Sequence, residues 1–214
     1  MKVAVLGSGI VGEVLSNGFL KHGYEVIRGS RDPDKLKDWL MKSGAKASTG
    51  TFQEASKLGE LIVLAVKGSA AKSALGLCVP ANLKGKTIID VTNPIGDTPP
   101  VNGVLPFFTD FNSSLMERLQ RFVPDANFVK AFNSVANVNM VNPTFSDGMP
   151  TMFVCGNNER SKGTVREILT QFGWEAEDLG TAEAARAIEP LCMLLCIPGL
   201  LRNDWKRALR LLKT

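Results

Sequence analysis

The sequence predicts an α/β protein built on a doubly wound, mainly parallel sheet, and three observations carry that prediction. Short apolar runs alternate with segments of helical periodicity from residue 2 to residue 135. The first run, KVAVLG at 2–7, leads straight into Gly7, Gly9 and Gly12. That is G-x-G-x-x-G spacing at a strand-to-helix turn, the arrangement that cradles a dinucleotide pyrophosphate. The next strand ends in Gly29-Ser30-Arg31, where an acidic residue commonly stands. Together they specify a Rossmann-type sheet, to which the remaining sequence adds a small C-terminal α/β lobe.

Residues 2–7 read as a buried strand because Val3 to Leu6 carry no polar interruption. Residues 11–22 keep helical spacing and close at Gly23. YEVIRGS (24–30) is a second strand, and PDKLKDWLMKSG a second helix with Pro33 in its first turn and Gly44 at its end. ASTGTFQEASKLG reads as a loop with a short helix. LIVLAV (61–66) is a third strand, SAAKSALGLC a helix, and KTIIDVTN (86–93) a fourth strand. The proline-bearing PIGDTPPVNGVLPFF reads as a loop, followed by a helix over SSLMERLQRFV and a fifth strand in NFVKAFNSV. After the loop NPTFSDGMP come a sixth strand, PTMFVCGN (150–157), the helix ERSKGTVREILTQFG, a short strand in WEAEDLG and the helix AEAARAIEPLCMLLC. Pro198-Gly199 is expected to break that helix before a last basic one, NDWKRALRLLKT. The expected division is a dinucleotide-binding domain at 1–146 and a packed lobe at 147–214.

With 214 residues, 44% of them hydrophobic, the chain has ample material for a core. Its net charge of +4 is dispersed, which favours anionic small molecules and argues against a nucleic-acid footprint. Cys78, Cys155, Cys192 and Cys196 show no disulfide framework, and with one histidine in the chain no metal site is expected. No signal peptide is read at the N-terminus, and the run LCMLLCIPGLL is about half of the ~20 residues a spanning helix needs. The expectation is a soluble, cytoplasmic protein with no membrane or nucleic-acid partner, able to form a homodimer.

In the turn, Gly7 permits the tight bend, Gly9 lets backbone approach the pyrophosphate and Gly12 lets helix and strand pack closely. The amides of residues 9 to 12 would then face the phosphates. A carboxylate at the end of the second strand would repel a ribose 2′-phosphate, and Gly29 removes it. Ser30 offers a hydroxyl, Arg31 a planar cationic fork and Lys35 a second positive charge one helical turn on. Asp32 and Asp34 could neutralise Arg31, but at a helix start beside Pro33 they are expected to cap free amides. The reading is NADP, not NAD.

With this turn, GSRDPDK, DVTNPIG, VKAFNSV and PTMFVCGN in order, the chain resembles the NADP oxidoreductase, coenzyme F420-dependent family. It is also similar to the cytosolic NADPH-binding domain of the six-transmembrane metalloreductases. The resemblance implies that Ser8, Gly9, Ile10 and Val11 hold the pyrophosphate and that Ser30, Arg31 and Lys35 hold the 2′-phosphate. It places Ala65, Val66 and Lys67 beside adenosine and pyrophosphate, and Asn93, Pro94, Ala131 and Asn133 on the nicotinamide side. Members that use F420 carry a histidine near the position of Asn133, and often a proline where Lys67 stands. The metalloreductase branch shares AFN with this chain and passes its electrons to a flavin.

His22, the single histidine, is expected at the end of the first helix and away from the cleft, and Tyr24, the single tyrosine, begins a strand. Carbonyl reduction needs a proton donor for the developing alkoxide, and none is evident. Hydride transfer between nicotinamide and another redox ring needs placement and exclusion of water. Asn93, Asn133 and Asn137 would serve as polar handles, with Ile197, Gly199 and Leu200 as a wall. Arg202, Lys206, Arg207, Arg210 and Lys213 would either complement a helix dipole or form a docking strip for an anionic acceptor. The function expected is hydride transfer between NADP(H) and a small-molecule acceptor, F420, FMN or FAD, with no catalytic acid or base nominated. Reduction of a small C=N or C=O substrate and non-catalytic NADPH sensing remain as alternatives.

Overall fold

The computed structural model describes residues 1–213. Six parallel strands form the main sheet: β1 (Lys2–Leu6), β2 (Glu25–Ser30), β3 (Ala47–Thr51), β4 (Leu61–Leu64), β5 (Thr87–Asp90) and β6 (Asn127–Lys130). Their spatial order is β3-β2-β1-β4-β5-β6, so the chain reverses direction across the sheet between β1 and β4. Strands β1 and β4 are buried on both faces, which explains their unbroken apolar runs. Helices α1 (Ile10–Lys21), α2 (Lys37–Ser43), α3 (Phe52–Leu58), α4 (Gly68–Gly76), α5 (Pro80–Leu83) and α6 (Leu115–Phe122) make the crossovers, with a 3₁₀ turn at Pro33–Leu36.

The edge strand β3 lies where a loop was expected. ASTGT carries no large apolar residue, and it becomes a strand by pairing with β2 from Val26↔Ala47 to Ser30↔Thr51.

Beyond β6 the chain forms a second, two-stranded parallel sheet from β7 (Thr151–Val154) and β8 (Glu175–Asp178), with α7 (Glu159–Gln171) between them. The amide of Lys130 donates to the Cys155 carbonyl at 3.0 Å, so this sheet abuts the edge of the main one. One apolar cluster joins the two, with Val3, Val63 and Val129 packed among Met152, Val165 and Trp174.

The C-terminus departs from the expected helix break. α8 (Ala185–Ile188) is followed by α9 (Leu191–Arg202), which runs through Pro198. The helix ends at Asn203, which adopts a left-handed conformation at φ 53°. The residues after it are not helical. They run beside β7, where the Thr151 amide donates to the Leu209 carbonyl at 2.8 Å and the Leu211 amide to Thr151 Oγ1 at 3.0 Å. Sheet-edge hydrogen bonds outweigh the helical periodicity of the basic tail. Thr214 lies outside the described residues. The stretch Ala182–Arg202 is long and apolar enough by length and composition alone to cross a membrane. All four cysteines are free thiols, and burial pushes that of Cys155 up to about 12.

Arg186 on α8 forks onto Glu117 of α6 at 2.6 and 3.0 Å. The same carboxylate closes a capping box with Ser114. The Arg186 hydrogen bonds hold the Glu117 carboxyl down at about 2, against an ordinary 4.5, with Ser114 adding to the effect. A folded-state value below the unfolded one stabilises above about pH 4.5 and is lost as pH falls towards 2. Glu117→Gln is therefore expected to cost about 1.5–3 kcal/mol in denaturant melts at neutral pH. The difference from wild type should close as the melts are repeated at decreasing pH.

Candidate functional site: a trough across the strand ends

The C-terminal ends of β1 and β4 part at the reversal point of the sheet, where a doubly wound fold opens its binding crevice. Two adjoining cavities lie there, of about 470 and 260 Å³. They share Gly9, Ala65, Val66 and Lys67, and so form one trough.

The turn after β1 forms its centre. Gly7 has φ +147°, and a Cβ there would sit 2.1 Å from the Ala65 carbonyl oxygen, so a side chain would force β1 and β4 apart. A Cβ at Gly12 would meet the Gly7 carbonyl at 2.6 Å, whereas nothing lies within 4 Å of one at Gly9. No side chain caps α1, whose N-cap is Gly9, and its first amides are left for an anion.

The smaller cavity takes in Ser8, Ser30 and Arg31, with Phe52 from α3 as an apolar wall. Ser30 Oγ accepts from the Asp32 amide at 3.2 Å, which leaves its hydroxyl hydrogen to donate elsewhere. Asp32 caps the 3₁₀ turn by accepting from the Asp34 amide at 3.2 Å, and Asp34 pairs with Lys37 at 3.0 Å. Neither carboxylate neutralises Arg31, which makes no ion pair among the described residues. Lys35 is exposed and does not line the cavity.

The larger cavity runs from Ile10 and Val11 to Thr92, Asn93 and the loop Ile95–Asp97. Lys67 stands at its lip as the N-cap of α4. Pro94, Ala131 and Asn133 are buried and lie outside the lining. Asn133 instead supports Asn93 from behind: Asn93 Nδ2 donates to its carbonyl at 2.8 Å, and its own Nδ2 donates to Asn93 Oδ1 at 3.1 Å and to the Ile188 carbonyl at 2.9 Å. Asn137, on a 3₁₀ turn, and Ile197 to Leu200 are not in the lining either. Gly199 faces the Trp205 ring, and Ile197 packs against Gly103. Of the basic tail, Arg207 pairs with Asp204, Lys213 with Glu177 and Arg210 with the Asp147 carbonyl, while Arg202 and Lys206 are exposed. His22 caps the end of α1, stacks on Phe172 and bonds Asn142 at 3.1 Å.

Two buried cations beneath the trough had no place in the sequence reading. Lys130 Nζ contacts Asp90 at 2.7 Å, Glu189 at 2.9 Å and the Thr92 carbonyl at 2.8 Å. Burial alone would push this ammonium down, but the two carboxylates more than offset it and hold it above the usual lysine range. Asp90 in turn accepts from the Thr92 amide and hydroxyl at 2.9 and 2.6 Å, so the cluster fixes the floor of the larger cavity. Arg28, inside β2, is the second. Its only sequence signal is a charge directly after the apolar pair Val26-Ile27 within a strand.

Residues 2–94 match the family described as NADP oxidoreductase coenzyme F420-dependent. Metalloreductase STEAP3 of Rattus norvegicus is 31% identical over 207 residues, covering 96% of this chain and 38% of that protein. The chain thus spans well under half the length of this curated relative. A crystal structure from Arthrobacter sp. FB24, described as a candidate F420-dependent NADP-reductase, superposes with TM-score 0.93 at 28% identity and full coverage of both chains. A reductive aminase from Aspergillus terreus, in complex with NADPH, shares the fold at TM-score 0.68 and 19% identity, over 94% of this chain and 62% of that one.

Proposed function

We propose that this chain, whose residues 2–94 match the family described as NADP oxidoreductase coenzyme F420-dependent, transfers hydride between NADP(H) and a flavin or deazaflavin ring. The observation that carries the reading is the trough itself: it joins an uncapped helix N-terminus to an unpaired Arg31 with no carboxylate set against it. The open space at Gly9 fits a pyrophosphate, since a Cβ there would stand in its way. In this reading the first-turn amides of α1 hold the pyrophosphate, and Ser30 and Arg31 hold the 2′-phosphate. Lys67 screens negative charge at the lip, and Asn93, braced by Asn133, orients the nicotinamide end. The bound cofactor supplies the hydride.

The larger cavity brings Lys67 and Asp97 as its titratable side chains, both exposed, and no buried acid points into it. That favours transfer between redox rings, where placement and exclusion of water suffice, over carbonyl reduction. The likeness to a protein named a metalloreductase supports a ferric chelate as the terminal oxidant, and a flavin between it and NADPH is what the resemblance to that branch implies.

The test is to mix the purified chain with NADPH and follow loss of the reduced nicotinamide's near-ultraviolet absorbance. F420, FMN, FAD and a ferric chelate would be added singly, alongside a cyclic imine and a ketone. Oxidation by a flavin or by F420 is expected. Turnover confined to the imine or ketone would overturn the reading, and binding of NADPH with no turnover would leave a sensor.

A further inference from the structure

Arg28 is 1% exposed, in a strand whose neighbours Val26 and Ile27 are apolar and buried. Its guanidinium lies under the phosphate turn. Nη2 donates to the Gly9 carbonyl at 3.2 Å and reaches the Gly7 carbonyl at 3.5 Å. Nη1 lies 3.6 Å from Glu13, which is itself 45% exposed. Its Cζ lies over the Trp39 ring, 4.9 Å from the centroid, and Nε has no partner. Burial pulls its pKa below the usual arginine value, and Glu13 offsets this only in part.

A buried cation with one long ion pair and an orphaned N–H is poorly compensated. It also stands beside the positive end of α1, which makes its position in the free protein less favourable still. Both costs fall when two negative phosphates settle above the turn. The guanidinium also fixes the carbonyls of Gly7 and Gly9 on the buried side, which leaves the trough side of the turn to amides.

We propose that Arg28 is a positioning residue that supplies a buried counter-charge to the cofactor pyrophosphate through the Gly7–Gly9 turn, whichever dinucleotide is bound. This rests on the dinucleotide reading above and deepens it, by dividing the cationic groups into two kinds. Arg31 would select the 2′-phosphate, and Arg28 would strengthen the part common to NADPH and NADH.

The experiment compares Arg28→Met and Glu13→Gln with wild type, by calorimetric titration of NADPH and of NADH and by thermal melts with and without cofactor. Arg28→Met is expected to raise both dissociation constants by the same factor, about tenfold. Its cofactor-free melting temperature should hold or rise, since an apolar side chain replaces a strained charge. The melting shift produced by cofactor should shrink. Glu13→Gln removes the competing carboxylate and is expected to tighten both dinucleotides a few-fold, so the proposal stays testable if Arg28→Met does not fold. Unchanged dissociation constants in either variant, or a lower cofactor-free melting temperature with the cofactor shift intact, would reduce Arg28 to a structural residue. Wild-type protein that binds neither dinucleotide would overturn the parent reading and this one with it.

Discussion

Lys130→Met is expected to lower folding stability by about 3–5 kcal/mol, the usual cost of breaking a buried ion pair by removing one partner. Lys130 and Asp90 are fully buried, and the Glu189 side chain is 2% exposed. Without the ammonium, two carboxylates face each other away from water, and the Thr92 carbonyl loses its donor. Glu189 also accepts from the Leu115 and Met116 amides, both at 2.9 Å, so the damage reaches the start of α6 as well as the cavity floor. Denaturant titration should show an earlier midpoint with little change in slope. The triple variant Lys130→Met/Asp90→Asn/Glu189→Gln removes all three charges and should recover most of the loss. A single variant within about 1 kcal/mol of wild type would mean that the cluster contributes little.

Arg31→Ala should weaken NADPH binding at least tenfold, about 1.4 kcal/mol, while barely changing that of NADH. In the free protein Arg31 is exposed and makes no ion pair among the described residues, so its loss costs little stability and the effect falls on binding. Because the site is open to solvent, the NADPH penalty should shrink as salt is raised. Calorimetric titration at two ionic strengths checks both statements. Equal losses for the two dinucleotides would show that Arg31 does not read the 2′-phosphate. Arg28→Met is expected to give that pattern of equal losses, which separates the two arginines in one set of measurements.

The parts of the site legible in the sequence are those made by neighbours in the chain. Gly7, Gly9 and Gly12 announce a turn because their spacing falls directly between a strand and a helix, although the contact that demands a glycine at Gly7 comes from Ala65, far along the chain. Of Asp32 and Asp34, both expected by position to cap, Asp32 does so and Asp34 instead pairs with Lys37. Ala65, Val66 and Lys67 follow from the rule that strand ends carry the site. Asn133 and Ala131 were read as contacts because they end a strand too, but the β6 end lies behind the Asn93 loop, and Asn133 braces rather than lines. The segment ASTGT has no period that marks a strand, and the tail from 203 has a helical period that the fold does not use.

The sequence by itself determined the sheet class and the glycine turn, and supplied the local charge on which the 2′-phosphate reading rests, because apolar period, glycine spacing and local charge are short-range properties. Only the tertiary structure decided that β3 and the tail take extended paths, that Asp90, Lys130 and Glu189 meet, and that Arg28 lies under Gly7 and Gly9. Each of these depends on partners distant in the chain, whose hydrogen bonds and desolvation are set once the sheet has formed and leave no periodic trace in the sequence.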